Sequence, residues 1–285
     1  MSVLVYIENQ EGTFNKKSHE LATFASKTAE VVGGEASAVV FGEVESPESL
    51  GKYGVSKVFH VNQSETEHFD SQVYSQAITQ IAEKAGANNI IVGHTAYGKA
   101  LLGRLAVRMN AGSVSGVIEI PKQDSGLHLK KGVFSGKAFA DYEITSDNKV
   151  FSLMGNSIQV EESEGSAEVE NISLELGAPK TTLKSVDKVS GEVPLTEAAR
   201  VVSAGRGMKG PDNWDIIEEL AEKMDAATAC SRPVADTGWR PHHEHVGQTG
   251  VAIRPNLYVA IGISGAIQHL AGVNNSKTIV VINKD

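Results

Sequence analysis

The sequence predicts an α/β protein of two sequential domains, each with a mostly parallel sheet flanked by helices. Three observations carry that prediction. Short apolar runs alternate with amphipathic segments through residues 2–110, the alternation is replaced by closely spaced strand-like runs up to residue 155, and it resumes beyond a polar tract at residues 180–195. A chain of 285 residues with ordinary apolar content can bury one large core or two smaller ones, and the polar interruption favours two.

Ser2-Val3-Leu4-Val5-Tyr6-Ile7-Glu8 opens a strand, and after turn material at Asn9 and Gly12 the periodicity predicts a helix over residues 16–32. Strands follow at 36–41, 57–61 and 89–92, with helices at 71–85 and 97–110. Short apolar strands separated by helices are those of a parallel sheet covered on both faces. Between residues 113 and 155 the runs at 117–120, 128–134, 137–144 and 150–154 are separated by Gly, Asp and Asn turns, which predicts antiparallel hairpins added to the sheet. Residues 160–170 are acidic and read as a loop, and 169–176 returns to strand. The domain boundary is placed at Asp187 to Glu192, giving an N-terminal domain of residues 1–189 and a C-terminal domain of 190–285. In the second domain, strands are expected at 199–203, 226–231, 257–263 and 278–283, with helices at 214–224 and 266–270.

Composition excludes several classes of function. A formal charge of −9 without concentrated Lys/Arg runs argues against nucleic acid, whose phosphates require a basic face. Proteins or small, locally held anions are the expected partners. The single cysteine, Cys230, can form no internal disulfide. No apolar stretch has the length of a bilayer span, so direct membrane insertion is not expected. A strand beginning at residue 2, with no basic and apolar leader, points to a bacterial-type cytoplasm.

Four motifs invite chemistry. Gly93-His94-Thr95-Ala96-Tyr97-Gly98-Lys99 has phosphate-loop spacing, but Ala100 stands where a magnesium-holding hydroxyl is required, so a strand-to-helix turn with an exposed lysine is the stronger reading. Gly205-Arg206-Gly207-Met208-Lys209-Gly210 fits G-x-G-x-x-G with Asp225 at a plausible ribose distance. Yet Pro211 and the cap candidates Asp212 and Asn213 start the helix after the third glycine, which leaves a generic glycine loop and a phosphate-approaching loop of another fold on equal terms. His242-His243-Glu244-His245 fails the metalloprotease spacing, because Gly247 occupies the completing position, and reads better as a solvated polar loop than as a metal site. The fourth signal is collective. Ser231, Arg232, Gln248, Thr249, Ser264, Gln268, His269 and Asn283 all lie at or just beyond the ends of apolar strands, where open α/β sheets bind ligands, and together they suit a large ligand with carbonyls, hydroxyls and a pyrophosphate.

Ser231-Arg232, then Asp236-x-Gly238-Trp239, then Val246-Gly247-Gln248-Thr249-Gly250, then Leu257-Tyr258-Val259-Ala260-Ile261-Gly262-Ile263-Ser264-Gly265-Ala266-Ile267-Gln268-His269-Leu270-Ala271-Gly272, then Ile282-Asn283-Lys284-Asp285, resembles the FAD-domain signature of electron-transfer flavoprotein alpha subunits. Residues 95–104 and the opening strand and helix resemble the family's N-terminal domain, so the likeness covers nearly the whole chain. The resemblance implies a C-terminal FAD-binding domain of the deoxyhypusine-synthase-like NAD/FAD-binding kind and an N-terminal domain that is largely dimer surface. It implies that Arg232 lies beside the isoalloxazine, where a fixed cation favours the reduced, anionic flavin, that Thr249 lies near N5, and that His269 lies near the O2 carbonyl. Ser231, Val246, Gly247, Gln248, Ser264, Gly265, Ala266, Ile267 and Gln268 match segments lining the cofactor, and Arg206 and Asn283 match positions contacting the rest of FAD.

The implied protein is an electron carrier without substrate turnover of its own. It is paired with a beta subunit that holds AMP, accepts electrons from acyl-CoA and related dehydrogenases as in fatty-acid β-oxidation, and delivers them to a membrane quinone oxidoreductase. Family members usually continue beyond Asn283-Lys284-Asp285 with adenine-side contacts, so fewer such contacts are expected here. Two other readings stay open on the residues alone: an NAD-dependent enzyme, for which only His269 offers a catalytic group, and a scaffold subunit poor in cofactor.

Overall fold

The structure, a computed structural model, describes residues 2–134, 136–185 and 194–284. The chain divides into two compact units, Met1–Val133 with Phe139–Val186, and Phe134–Ala138 with Asp187–Asp285. The expected boundary at Asp187 to Glu192 lies outside the described residues.

The first unit runs β1 (Ser2–Tyr6), α1 (Lys16–Val32), β2 (Ala36–Phe41), β3 (Lys57–Val61), α2 (Ser71–Ala85), β4 (Ala87–Gly93), α3 (Ala96–Arg108), β5 (Gly112–Val117), β6 (Lys122–Gln123), β7 (Leu127–Val133), β8 (Ala138–Ile144), β9 (Lys149–Leu153) and β10 (Glu168–Asn171). Its sheet has the order β10-β3-β2-β1-β4-β9-β5-β7-β6, with β8 paired to β7. Successive residues of β1 point to opposite faces: Val3 and Val5 pack with Leu21, Phe24 and Ala25 of α1, and Leu4 and Tyr6 pack with Ile78 and Ile81 of α2 and Leu101 and Leu105 of α3.

The antiparallel additions are present, since β7 pairs antiparallel with β5 and β6. The run at 150–154 was expected among them and is not. It forms β9, parallel to both β4 and β5 near the middle of the sheet. Its neighbours Val150 and Phe151 are fully buried and belong to opposite cores, which is how a continuous apolar run behaves when both faces are covered. Of the run at 117–120, only Val117 lies in a strand.

Local chemistry sets the helix starts. Asn15 forms a capping box with Ser18 before α1. Asp70 caps α2, accepting from the backbone N–H groups of Gln72 (2.8 Å) and Val73 (3.3 Å), while its other oxygen accepts from the Lys180 N–H and the Thr181 hydroxyl. Burial raises the Asp70 carboxyl pKa, but these hydrogen bonds outweigh it and hold the group below the usual carboxylate value. A depressed folded pKa stabilises the fold above the unfolded value, near pH 4, and that contribution is lost as pH falls through the folded value. Asp70→Asn keeps one capping oxygen but puts an NH2 group where the Lys180 N–H and Thr181 hydroxyl need an acceptor, and is expected to cost about 1 kcal/mol at pH 7. The gap between variant and parent should close as pH falls below about 4, read from urea midpoints.

The second unit runs β11 (Arg200–Ala204), α4 (Asp215–Lys223), β12 (Ala227–Cys230), α5 (Arg232–Asp236), β13 (Leu257–Ile261), α6 (Ile267–Val273) and β14 (Thr278–Ile282). All pairings in its sheet, ordered β12-β11-β13-β14, are parallel. One face packs Val202, Ala204 and Val259 against Trp214, Ile217, Ala221 and Val234; the other packs Val201, Tyr258 and Ala260 against Val246, Ile253 and Val273. The strand expected to reach Ser231 ends at Cys230, and Ser231 becomes the N-cap position of α5. Strand β14, an unbroken apolar run, is exposed throughout, with Val281 63 % and Ile282 52 % accessible. Among the described residues no helix is long and apolar enough to cross a membrane.

Candidate functional site

The strand order of the second unit reverses at β11, because β12 lies on one side of it and β13 on the other. The carboxyl ends of β11 and β13 therefore form the crevice at which open parallel sheets take ligands. Hydrogen bonds tie the loops above these ends together. The N–H groups of Gly205 and Gly207 donate to the carbonyls of Ile261 (2.9 Å) and Gly262 (3.0 Å), Ser231 N–H donates to Ala204, and Val246 N–H donates to Cys230 (both 3.1 Å). Asn283 Nδ2 donates to the Ile263 carbonyl (3.0 Å). A Cβ on Gly207 would lie 2.6 Å from Gly262 Cα, so only glycine allows this backbone contact.

The approach of these loops leaves Arg206 exposed, and its side chain makes no hydrogen bond or ion pair among the described residues. Beyond β12, the Arg232 guanidinium donates through Nη1 to Thr249 Oγ1 (3.4 Å) and through Nε to Asp236 Oδ2 (3.2 Å). The Arg232 side chain is 62 % accessible, so its pairing with Asp236 contributes little to stability and leaves the cation open to a ligand. The loop carrying Val246, Gly247, Gln248 and Thr249 docks on α6, where Gln248 N–H donates to the Gln268 carbonyl at 2.7 Å. Ser264, Gly265, Ala266, Ile267 and Gln268 are all exposed, and nothing lies within 4 Å of a Cβ built on Gly265.

His269 differs from its neighbours in being buried. Its Nε2 lies 2.7 Å from the Tyr258 hydroxyl, and its Nδ1 has no partner of hydrogen-bond geometry among the described residues. Burial lowers its pKa and leaves the ring neutral near pH 7. Burial likewise pushes the Tyr258 phenol up, and pushes the Cys230 thiol up to about 12, too high for a thiolate nucleophile. Sequence reasoning missed Tyr258. The available signal was a tyrosine inside a continuous apolar strand, since a buried phenol needs a polar partner.

Other motifs resolve differently. The segment 242–245 is not simply a solvated loop, because Glu244 and His245 are 2 % and 8 % accessible. Glu244 accepts from Arg240, which also reaches Glu218. Among the described residues no group could hold a metal ion. Asp225 pairs with Arg200 at 3.0 Å, at the start of β11 and so at the opposite end of that strand from the glycine loop. In the Gly93–Lys99 motif, Thr95 caps α3 and its hydroxyl donates to Glu8, a carboxylate where a phosphate would need donors.

The second unit fits a large flavin-type ligand on its own geometry: an open guanidinium at Arg232, a glycine-permitted crevice between two strand ends, exposed backbone at 264–268, and a buried imidazole nitrogen without a partner. Fold and site together define a two-unit α/β protein with an extended ligand site at a topological switch point. Residues 3–176 match the electron transfer flavoprotein domain, and residues 194–274 match the electron transfer flavoprotein FAD-binding domain. Similar proteins include the electron transfer flavoprotein subunit alpha of Mycobacterium leprae, 34% identical over 99% of this chain and 88% of the relative, and that of Bacillus subtilis, 37% identical over 88% and 79%. A third is the lactate dehydrogenase (NAD(+),ferredoxin) subunit LctC of Acetobacterium woodii, 31% identical over 99% and 70%. The chain belongs to the electron-transfer flavoprotein alpha-subunit family. Every proposed site residue except Asn283 falls inside the matched FAD-binding segment.

Proposed function

We propose that this chain binds FAD along the crest of its second unit, pairs with an AMP-holding beta subunit, and carries electrons from acyl-CoA and related dehydrogenases to a membrane quinone oxidoreductase in the cytoplasm. One observation carries the reading: the loops bearing Arg206, Ser231, Arg232, Thr249, Ser264 and Asn283 all lie at the carboxyl ends of one parallel sheet, within or beside the segment that matches an FAD-binding domain.

Bound FAD supplies the electron-accepting and electron-donating chemistry. The chain's own residues bind and bias it. Arg232 offers a fixed positive charge to the isoalloxazine, Thr249 a hydroxyl that Arg232 itself orients, and His269 a neutral ring beside the O2 carbonyl. Arg206 serves the pyrophosphate, and the open surface around Gly265 with exposed Ile267 suits the flat face of a ring system. The printed name of the Acetobacterium woodii relative favours a second donor class, a 2-hydroxy-acid dehydrogenase partner.

Co-expression with a beta subunit is expected to yield a yellow complex that accepts electrons from an acyl-CoA dehydrogenase or, on the second reading, from a lactate-oxidising partner. In Arg232→Ala the reduction potential of the bound flavin should fall, by on the order of 1 kcal/mol per electron. A colourless complex that takes up no added FAD would remove this function and leave the scaffold reading.

A further inference from the structure

The amino end of the first sheet carries a polar row on a face that is otherwise apolar. Val3 of β1, Asn89 of β4, Lys149 of β9 and Gly112 of β5 are in register, so they share one face of the sheet, the face on which Val3 packs with α1. Two residues further along, the same face presents Val5, Ile91, Phe151 and Val114, all members of one core. Asn89 therefore stands where the pattern calls for an apolar side chain.

The register between β1 and β4 shifts after Ser2, which leaves Asn88 as the extra residue of a bulge. Asn89 Nδ2 donates to Asn88 Oδ1 at 2.9 Å. Asn89 Oδ1 has no hydrogen-bond partner among the described residues, and the residue has no accessible surface. An acceptor buried in that way is costly unless a donor reaches it, and the fold supplies none.

A cavity of about 320 Å3, lined by both Asn89 and Lys149, adjoins this row. That volume lies at the lower end for small-molecule sites. Val32 at the end of α1, Leu127 at the start of β7 and Ile144 at the end of β8 form its apolar wall. Gly126 completes it, since a Cβ there would strike the Glu143 carboxylate that lies against it.

Acceptors outnumber free donors around this space. The carboxylates of Glu143 and Asp147, both lining residues, make no hydrogen bond or ion pair among the described residues. Lys149 already donates to the backbone carbonyls of Ser146 (2.8 Å) and Asp147 (3.1 Å). An anion would meet two unpaired carboxylates, and among the described residues no group could hold a metal ion.

We propose that this cavity binds a small organic cation, whose alkylammonium or alkylguanidinium group donates to Asn89 Oδ1 and is met by the Glu143 and Asp147 carboxylates. Such a head group supplies both the N–H donor that the buried oxygen lacks and the positive charge that the rim lacks. The site belongs to the first unit and does not rest on the FAD reading.

The test uses the chain in complex with its beta subunit, with isoleucine, leucine and valine methyl groups labelled in carbon-13, and agmatine as the probe. Agmatine is expected to shift the Val32, Leu127 and Ile144 methyl signals saturably, with a Kd of about 1 mM or tighter. Butane-1,4-diol, of similar length but uncharged, should not. Asn89→Leu keeps the bulk of the side chain and removes the acceptor, and should weaken agmatine at least about tenfold. Glu143→Gln changes an exposed carboxylate and should weaken it by about threefold.

No saturable shift with agmatine would overturn the proposal, whether the cavity then holds only water or a side chain of the beta subunit. So would an equal response to the diol, or an affinity that neither substitution changes. If Asn89→Leu does not fold, the parent titration and Glu143→Gln still decide. A complex that binds no FAD would remove the flavin reading and leave the methyl signals to answer this one.

Discussion

Glu20→Ala is expected to lower the stability of the first unit by about 2–3 kcal/mol, because it removes at once the acceptor of three backbone N–H groups, one buried and two half-buried. Glu20 lies on α1 and is 2 % accessible. Its carboxylate accepts from the backbone N–H groups of Asn156 (2.9 Å), Ser157 (2.6 Å) and Ile158 (3.0 Å), the segment that follows β9. The side chain thereby supplies acceptors to three consecutive backbone donors of a segment that lies outside any named helix or strand. Glu20→Gln keeps one acceptor oxygen and should lose roughly half as much. Urea denaturation of the three proteins separates the cases. A loss under about 1 kcal/mol in Glu20→Ala would mean that water replaces the carboxylate and that α1 does not anchor this segment.

Gly207→Ala is expected to cost about 2–3 kcal/mol and to reduce FAD affinity at least tenfold. The added methyl would meet Gly262 Cα at 2.6 Å and Gly262 O at 2.8 Å, both backbone atoms that cannot rotate aside. Relief requires separating the two loops at the carboxyl ends of β11 and β13, which is where the cofactor reading places Arg206 and Ser264. Gly210→Ala is the control, since nothing lies within 4 Å of its Cβ and its φ of 178° is ordinary extended backbone. Thermal unfolding and FAD titration of the two variants measure both effects. Equal behaviour would show that the crevice tolerates a wider loop and that the close contact does not shape the site.

Much of the fold was legible because its signals are local. The boundaries predicted for α1, β2, β3 and α2 coincide with those observed, since Asn15 and Asp70 cap their helices and the apolar spacing changes abruptly at each end. The candidate residues were legible as a group near strand ends for a related reason: in parallel sheets the carboxyl end of every strand points the same way. What stayed hidden depends on partners distant in sequence. The run at 150–154 has the composition of a strand in either sense, and only its pairing with β4 and β5 made it parallel. Glu244 and His245 read as solvated because their neighbours in sequence are polar, yet Arg240 and Glu218 hold Glu244 in a buried network.

By itself, the sequence determined the alternation of strands and helices, its division into two series, and the scarcity of concentrated Lys/Arg runs, which follow from local periodicity and composition, and it carried the ordered motifs by which the chain resembles its family. The tertiary structure alone decided that Arg232 meets Thr249, that Gly207 presses on Gly262, and that Tyr258 reaches His269. Those contacts join residues from different strands and loops, and no local preference specifies which side chains a parallel sheet will bring face to face once its strand order is set.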